Sequence, residues 1–314
     1  MVVLGIDIGG TLIKAGMVDE MGAILASRTV ETPPDLEGFV PSLHDAIRWL
    51  LEATTLPAGV GVGCKGIINP DSTLVEVLPG ALHYLEGQRI SDLVGLPIDV
   101  PVFADNDARV ALAGEMVWGA AKGFENVVML MLGTGVGGAV VSNGQLLRGH
   151  AGVAGHLGHL TVDLDGPLCA CGNRGCLETI FSARAIEAEA WSAVHRGCHS
   201  TLTRLFREQP QLATCRTIFQ AASEGDQLSQ SIIARAIQGL AAAIAGLLHV
   251  FDPEVVILGG QMVDAGAELM TPLRKEVWAR SHGLLGRDAL LLEQQVADRS
   301  GIVGAAGLAM APRG

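Results

Sequence analysis

Three apolar runs of this chain each end in a glycine-rich turn, and this recurrence restricts the fold more than any other feature of the sequence. The runs are residues 2–8, 127–132 and 255–258, and the turns that follow them begin at Gly9, Gly133 and Gly259. Glycine lacks a Cβ atom, so such a turn can approach an anion closely and point successive backbone N–H groups at it. One turn alone is equally compatible with a plain hairpin, but three of them favour a fold that binds phosphate groups.

The glycine turns do not fit the two common nucleotide-binding motifs. Residues 133–138 match the letters G-x-G-x-x-G, but the residues that follow form a predicted strand and not a helix. The chain contains no G-x-x-x-x-G-K-[ST] sequence. Dinucleotide-binding and P-loop folds are therefore disfavoured.

Predicted strands and helices alternate along the chain, which is typical of the α/β class. A strand, a glycine turn and a second strand occur at residues 2–18 and again at 127–142. This similarity suggests a duplicated architecture, with coincidence as the alternative. Residues 66–100 contain several prolines and glycines and are predicted to form a looped excursion. Further strands are predicted at 24–30, 60–64, 101–104, 255–258 and 289–294, and helices at 36–53, 106–117, 182–251 with a break near Pro210, 265–280 and 301–311.

Composition places the chain among globular proteins that bind small molecules. Its 314 residues suggest about two domains. With 49% hydrophobic and 17% charged residues, it can bury a core and differs from disordered chains. A formal net charge of −12 without a basic run argues against nucleic acids and anionic membranes as partners.

The N-terminal apolar run indicates a cytoplasmic protein. It lacks a basic n-region, contains Asp7 and is not followed by a small-residue cleavage site, so it differs from a signal peptide. The most apolar long stretch, residues 239–251, is shorter than the roughly 18 to 20 residues that a membrane-spanning helix needs. We therefore expect a buried helix there.

Three of the six cysteines are clustered in a pattern that is typical of a metal site. They are Cys169, Cys171 and Cys176, and in a cytoplasmic protein such clustering favours metal binding over disulfides. A tetrahedral structural zinc needs a fourth ligand. On spacing alone, His156 competes with His159 for this role.

Two aspartates follow predicted strands at positions suited to phosphoryl transfer. Such enzymes work by placement and charge, and they need a carboxylate for Mg²⁺ and a positioned base. Asp7, beside the first turn, suits the Mg²⁺ role, and Asp107, at the start of a predicted helix, suits the base. The alternative is that Asp105, Asn106 and Asp107 only cap that helix.

Six motifs together are specific to one protein family. They are Asp7-Ile-Gly-Gly-Thr11, Asn106-Asp107-Ala108, the glycine run 133–138, Gly155-His156-Leu-Gly158-His159, the segment from Cys169 to Glu178, and Val256-Ile-Leu-Gly259-Gly260. Through them the chain resembles, over nearly its whole length, the ROK family of bacterial sugar kinases and sugar-responsive repressors. The resemblance implies the actin-like ATPase fold, a duplicated ribonuclease H-like α/β architecture with two domains around a cleft. The expected small domain is 1–105 with about 300–314, and the expected large domain is 106–299 with a zinc-bound loop at about 156–178.

The same resemblance assigns roles to individual residues. Asp107 is implied to be the base that takes the proton of the sugar hydroxyl, and the glycine turns are implied to bind ATP. The expected ATP-binding residues are Asp7, which also binds Mg²⁺, Gly9, Gly10, Thr11, Lys14, Gly133, Thr134, Gly135, Gly137, Gly259 and Gly260. The expected sugar-binding residues are Gly66, Asn106, Asp107, His156, His159 and Glu178. The expected zinc ligands are His159, Cys169, Cys171 and Cys176.

Two positions depart from the family pattern. His156 stands where glucose kinases of the family have Glu, and a neutral imidazole donates one hydrogen bond and accepts one, whereas a carboxylate accepts two. A His at this position is similar to bacterial N-acetylmannosamine kinases, whose substrate is modified at C2. Before Gly66, where the family usually has Pro, the chain has Lys65. This lysine is either a solvated loop charge or a contact to phosphate or sugar, and Lys14 poses the same choice.

The sequence therefore predicts a kinase that transfers the γ-phosphate of Mg-ATP to the 6-hydroxyl of a hexose or N-acylhexosamine. A glucokinase-like enzyme is the first alternative, and an N-acetylmannosamine kinase is the second. A repressor is disfavoured because such relatives have a helix-turn-helix before the first turn, whereas one residue precedes the first strand here. A non-catalytic sugar binder is disfavoured by the intact aspartates and turns. Family members are commonly dimers or tetramers, so we expect a homo-oligomer.

Overall fold

The computed structural model describes residues 1–78, 80–96, 99–296 and 300–310, which divide into two compact units. The first unit consists of Met1–Phe124, Gly144–Gly155 and the described residues from Gln294 onward. The second unit consists of Glu125–Asn143 and His156–Glu293.

Strands and helices alternate through the described part of the chain. The strands are β1 (Val2–Ile8), β2 (Leu12–Asp19), β3 (Ile24–Glu31), β4 (Val60–Cys64), β5 (Ile67–Ile68), β6 (Val75–Val77), β7 (Val102–Asn106), β8 (Val127–Leu132), β9 (Val136–Ser142), β10 (Gln145–Leu146), β11 (Val255–Gly259) and β12 (Leu291–Glu293). The helices are α1 (Leu36–Ala53), α2 (Ile90–Val94), α3 (Asp107–Trp118), α4 (Leu177–Ile180), α5 (Ala183–His195), α6 (Thr203–Glu208), α7 (Cys215–Ser223), α8 (Gln227–Phe251), α9 (Ala267–Leu285) and α10 (Ser300–Met310). Short 3₁₀ turns lie at His83–Leu85, Leu157–His159, Pro210–Leu212 and Gln261–Ala265.

The first unit is built on a five-stranded sheet in the order β3-β2-β1-β4-β7. Strands β1, β2 and β3 form an antiparallel meander, as the sequence predicts. Strands β1, β4 and β7 run parallel to one another. The carboxyl ends of these three strands therefore lie at one edge of the sheet.

The second unit repeats the order β2-β1-β4-β7 in its four strands β9-β8-β11-β12. Strands β8 and β9 are antiparallel and joined by the second glycine turn, and β8, β11 and β12 run parallel. Each unit thus contains an antiparallel pair joined by a glycine turn, with parallel strands added beside the first strand of the pair. This common order confirms the predicted α/β class and duplicated architecture.

Helix α1 covers the first sheet with the apolar stripe that the sequence predicts. It begins after Asp35, whose Oδ1 accepts a hydrogen bond from the N–H of Gly38 at 2.8 Å, as an N-cap residue does. The side chains that join the core of β1, β2 and β4 are Phe39, Leu43, Ile47 and Leu50.

Glycines let α10 lie directly against the first sheet and against α3. A Cβ atom at Gly61 of β4 would lie 1.7 Å from the carbonyl oxygen of Ala305, and one at Gly114 of α3 would lie 2.8 Å from the Cα of Gly304. Because α3 packs on α10, it is part of the first unit. The division observed here therefore differs from the predicted boundary after residue 105.

Residues 66–100 contain more regular structure than the predicted loop. Strands β5 and β6 pair antiparallel with an irregular register, and α2 follows. Strands of two and three residues are too short to show a hydrophobic period, so the sequence pattern does not reveal them. Of the prolines that suggested a loop, Pro79 and Pro97 lie outside the described residues, as does Ala311 at the predicted end of the last helix.

Among the described residues, α8 is the helix whose length and composition would allow it to cross a membrane. It begins at Gln227, well before the apolar stretch 239–251, so the helix is longer than that stretch suggests. Within the structure, 61% of its apolar window is buried. Mostly buried core helices of soluble proteins pass the same test, and this burial agrees with the predicted buried helix.

Candidate active site and metal centre

The carboxyl edge of the first sheet holds Asp7, the predicted magnesium ligand, and Asp107, the predicted base. Asp7 is in register with Gly63 of β4, and Gly63 is in register with Asp105 of β7. Lys14 of β2 is the antiparallel partner of Asp7. Helix α3 starts at Asp107, directly after β7. In open α/β sheets, ligands bind at this edge.

The groups at this edge influence one another electrostatically. Burial raises the pKa of Asp7 above its usual value, the Lys14 ammonium lowers it, and the Asp107 carboxylate raises it again. Burial, followed by the charges of Asp107 and Asp7, raises the pKa of the Cys64 thiol to about 12. The thiol is therefore protonated at neutral pH and is no nucleophile. Two mutually repelling carboxylates in a partly buried place suit a bound cation.

The beginning of α3 separates the capping role from the predicted catalytic one. Asn106 is the N-cap residue, because its Oδ1 accepts a hydrogen bond from the N–H of Ala108 at 3.0 Å. Its Nδ2 donates to the carbonyl oxygen of Gly66 at 2.9 Å. Asp107 is exposed, and its Oδ1 also accepts from the N–H of Ala108, at 2.8 Å. Both side chains thus accept from the N–H of Ala108, and the Asp107 carboxylate also lies where a helix favours negative charge. Since Asn106 already caps the helix, the exposed Asp107 carboxylate is accessible for the predicted role as base.

The first glycine turn, between β1 and β2, presents open backbone. The N–H of Gly9 donates to the carbonyl oxygen of Leu12 at 3.0 Å, and a Cβ at Gly9 would lie 2.9 Å from that oxygen. A Cβ at Gly10 would have no heavy atom within 4 Å, and Gly10 and Thr11 are exposed. Gly9 is therefore needed for the turn itself, whereas Gly10 and Thr11 are accessible to a ligand.

The second glycine turn is held by Glu178. The Oε2 of this residue accepts a hydrogen bond from the N–H of Val136 at 2.9 Å, and a Cβ at Gly135 would lie 2.3 Å from the same oxygen. The family resemblance assigns Glu178 to the sugar, but the sequence does not predict its contact with the second glycine turn. No sequence pattern reveals it, because 42 residues separate the two partners. Gly133 has no heavy atom within 4 Å of its Cβ position and stays open.

A cavity of about 700 Å³ adjoins this turn in the second unit. Its wall includes Thr134 of the turn, Cys169 of the cysteine cluster, and Glu178. Arg184 and Arg235 add positive charge to the lining. The volume is in the range that binds small molecules.

The third glycine turn lies beside the second at the edge of the second sheet. Gly259 ends β11 in register with Met131 of β8. Gly260 has a φ of 90°, and its Cβ would lie 2.3 Å from the carbonyl oxygen of Leu132. Only glycine fits this contact, which brings the ends of β8 and β11 together.

Four predicted metal ligands converge in the second unit. The ligand atoms of His159, Cys169, Cys171 and Cys176 all lie within 4.8 Å of one another. The Nδ1 of His159 is 3.6 Å from the Sγ of Cys169, and the Sγ atoms of Cys171 and Cys176 are also 3.6 Å apart. A tetrahedron with Zn–S bonds of about 2.3 Å has edges of about 3.8 Å. The group therefore fits one zinc ion, and it contains His159 and not the competing His156.

The segment around this group is held by its own backbone. The N–H of Cys169 donates to the carbonyl oxygen of Asn173 at 2.7 Å, and Thr161 forms an isolated bridge with Cys176. Gly175 has a φ of 65°, and its Cβ would lie 1.5 Å from the carbonyl oxygen of Asp163. The sequence predicts the ligands but not these bridges.

Comparisons with known proteins agree with the motifs. A family model described as the ROK family matches residues 3–311. A glucokinase from Thermotoga maritima is 36% identical over 276 residues, which are 87% of this chain and 86% of that protein. An N-acetylmannosamine kinase from Citrobacter koseri is 35% identical over 270 residues, 83% of this chain and 84% of that protein.

Solved structures agree over the full length. A ROK family glucokinase from Streptomyces griseus, in complex with glucose and AMPPNP, aligns with a TM-score of 0.80 and 32% identity. The alignment covers 99% of this chain and 100% of that one.

Proposed function

The chain belongs to the ROK family and has its actin-like ATPase fold, and from this premise we propose that it is an ATP-dependent sugar kinase. Its substrate is a hexose or an N-acylhexosamine, and the phosphoryl group goes to the 6-hydroxyl. The observation that carries the proposal is the pair of aspartates at the carboxyl edge of the first sheet. Asp107 is exposed at the start of α3, and Asp7 is close enough for the Asp107 charge to raise its pKa. Similarity to glucokinases at 33–36% identity supports it.

Asp107 orients the sugar hydroxyl and accepts its proton as the oxygen attacks the γ-phosphorus. General-base help of this kind is worth about 10²- to 10⁴-fold in rate. The amide of Asn106 is fixed by its hydrogen bond to the carbonyl oxygen of Gly66, so it holds the N-terminus of α3 and the neighbouring Asp107 carboxylate in position. His159 and Glu178 are the further sugar contacts that the family resemblance implies.

The family resemblance implies that the glycine turns bind the ATP phosphates, and the open backbone at Gly10 and at Gly133 supports this role for each turn. Asp7 is the carboxylate that would hold Mg²⁺, and the fit is supported by the repulsion that Asp107 exerts on it. When bound, Mg²⁺ neutralises charge on the transferred phosphoryl group. Lys14, which already lowers the pKa of Asp7, adds positive charge at the same edge.

The His and Cys group would hold a structural zinc ion. Its four ligands leave no open position, and closed sites of this kind are structural. The Nδ1 atom of His159 lies 3.6 Å from the Sγ of Cys169, so a zinc ion bound by this group would fix the orientation of the ring, and the other ring nitrogen would be left for the sugar. We expect one zinc ion per chain by elemental analysis, and loss of this zinc in Cys176→Ser but not in Cys215→Ser.

The sugar itself is tested by an assay of ADP release on zinc-replete protein, with glucose, mannose, N-acetylglucosamine and N-acetylmannosamine compared by kcat/KM. Turnover of at least one of these sugars is the expected result. Absence of turnover with all four would overturn the kinase proposal.

N-acetylmannosamine kinase activity is the second candidate, and His156 is the observation that favours it. If this imidazole contacts the C2 substituent of the sugar, His156→Glu shifts the ratio of kcat/KM values toward glucose by about tenfold or more. His199→Glu, at an exposed histidine, is the matched control and leaves the preference unchanged. An unchanged preference in His156→Glu would favour the glucokinase-like alternative.

The family resemblance extends the proposal to location and assembly. We propose a cytoplasmic homo-oligomer, either a dimer or a tetramer. Light scattering of the purified protein gives the subunit number directly.

A further inference from the structure

Helix α3 contains a buried arginine that the proposed mechanism does not use. Arg109 is 1% exposed, two residues after Asp107, and Asp105 beside it is 0% exposed. Removing a guanidinium group from water is costly unless charged and polar partners replace the lost hydration. The partners of Arg109 therefore indicate what it does.

Those partners include a loop as well as a carboxylate. The Nη1 of Arg109 donates to Oδ1 of Asp105 at 2.8 Å. Its Nη2 donates to the carbonyl oxygens of Gly152 and Ala154, both at 2.6 Å. The Nε of Arg148 donates to Oδ2 of Asp105 at 2.9 Å. We call Asp105, Arg109 and Arg148 the arginine clamp.

The loop that the clamp holds, residues 148–154, has little structure of its own. Gly149 and Gly152 have φ values of 75° and 68°, a region open mainly to glycine, and glycine is flexible in an unfolded loop. Within the loop, the N–H of Ala154 donates to the carbonyl oxygen of Arg148 at 3.1 Å. The two carbonyl contacts of Arg109 thus tie the backbone of this loop to α3.

The first turns of α3 hold two loops by the same means. Asn106 donates to the carbonyl oxygen of Gly66, and Arg109 donates to those of Gly152 and Ala154. Between these two residues in the chain stands the exposed Asp107. Ala154 is also two residues before His156, the proposed contact to the sugar.

We propose that Arg109, supported by Asp105 and Arg148, is a positioning residue that fixes loop 148–154 and thereby sets the affinity for the sugar. The proposal rests on the proposed sugar kinase function. Because the loop and not the phosphoryl group is held, the effect falls on the KM for sugar and not on the KM for ATP.

Arg109→Lys tests this directly. Lysine retains the positive charge beside Asp105 but has a single terminal nitrogen in place of the planar fork, so it cannot keep all three bonds. We expect the KM for sugar to rise about tenfold or more, because small misplacement of a binding group is costly. We expect the KM for ATP and kcat at saturating sugar to stay within about twofold. Arg204→Lys, at a side chain that is 84% exposed, is the matched control and changes none of these values.

Hydrogen exchange supplies a readout that does not depend on activity. The amide of Ala154 exchanges faster in Arg109→Lys than in the wild type, and a peptide that covers 148–155 reports it by mass spectrometry. Arg148→Met is the second variant and serves if Arg109→Lys does not fold. It removes one hydrogen bond to Asp105 at a side chain that is 34% exposed, and we expect a smaller increase of the sugar KM and of the exchange rate.

The outcomes separate the two proposals. Unchanged sugar KM or unchanged exchange of the loop in folded variants overturns the clamp. A parallel rise of sugar and ATP KM values, or a loss of kcat alone, also overturns it, because a general distortion would act in that way. A wild-type protein that phosphorylates no sugar overturns the kinase function, and the exchange experiment then still decides whether Arg109 fixes the loop.

Discussion

At the scale of single residues, Asp107 offers the sharpest test of the chemistry. Asp107→Asn keeps the size of the side chain and an oxygen that accepts from Ala108, so the helix start is preserved, but the amide cannot take a proton. Turnover should fall by about 10²- to 10⁴-fold while sugar affinity stays within about threefold. Steady-state kinetics and calorimetric titration with sugar measure the two quantities. Asp45→Asn, at an exposed surface pair with Arg48, is the control. Near-normal turnover in Asp107→Asn would remove the base from the mechanism.

Cys64 yields a second prediction at this scale, on pH dependence. Since burial and two carboxylates raise its pKa to about 12, the folded state favours the neutral thiol. This stabilisation is complete below the pKa of the unfolded thiol and is lost as the pH rises toward the folded pKa. At pH near 8, Cys64 should be alkylated at least about 100-fold more slowly than the exposed Cys198, because the thiolate is the reactive form. Peptide mass spectrometry after iodoacetamide treatment gives both rates, and equal rates would contradict the burial of Cys64.

At the residue scale, the sequence predicts functional residues that lie close together in the chain, but it does not predict contacts between residues that are far apart in it. The spacing of the cysteines predicts three of the four clustered ligands, because they lie within eight residues of one another. The contacts of Arg109 with Gly152 and Ala154 span 43 and 45 residues. Since carbonyl acceptors are present at every residue, nothing in the sequence marks which ones an arginine reaches.

At the scale of elements, the packing of α10 on β4 predicts a position where a single methyl group is costly. In Gly61→Ala, the new Cβ would lie 1.7 Å from the carbonyl oxygen of Ala305, and backbone must move because no flexible side chain can yield. We expect the free energy of unfolding to fall by about 2–3 kcal/mol. Urea unfolding measures it.

The control for this substitution is Gly246→Ala on the exposed side of α8. Its Cβ would meet no heavy atom within 4 Å, and alanine in a helix interior is favoured over glycine by about 0.5–1 kcal/mol. The two variants should therefore change stability in opposite directions. Equal effects would mean that α10 does not lie against β4 as described.

The same elements show which parts of the fold a sequence can predict. Strands β1, β2, β3, β4 and β8 have continuous or alternating apolar patterns, and all were predicted to within about two residues, which is the usual uncertainty of element ends. Helix α2 and strands β5 and β6 span five residues or fewer. Their formation depends on contacts with other segments of the folded chain, such as the hydrogen bond from the N–H of Ser91 in α2 to Oγ1 of Thr73 at 3.1 Å, and not on a local period.

At the scale of the whole molecule, the chain leaves the first unit after Phe124, returns to it briefly at Gly144–Gly155, which includes β10, and returns to it again at Gln294. One buried carboxylate, Glu115 of α3, accepts hydrogen bonds from backbone on both sides of this long excursion. Its oxygens accept from the N–H of Ala120 at 2.6 Å and from the N–H of Val296 at 2.8 Å. Two chain segments that are remote in sequence are thereby joined inside the first unit.

Glu115→Gln should therefore weaken the first unit more than its small chemical change suggests. The amide has one oxygen instead of two, and its NH₂ group would face a backbone N–H that can only donate. Hydrogen bonds to a charged group contribute about 1.5–3 kcal/mol, and we expect a loss of that size in the free energy of unfolding. Glu208→Gln, in an exposed pair with Arg204, should change it by at most about 0.5 kcal/mol. If the two variants unfold at the same urea concentration, the buried carboxylate is not what joins the outgoing and returning segments, and α10 alone must fix the return of the chain.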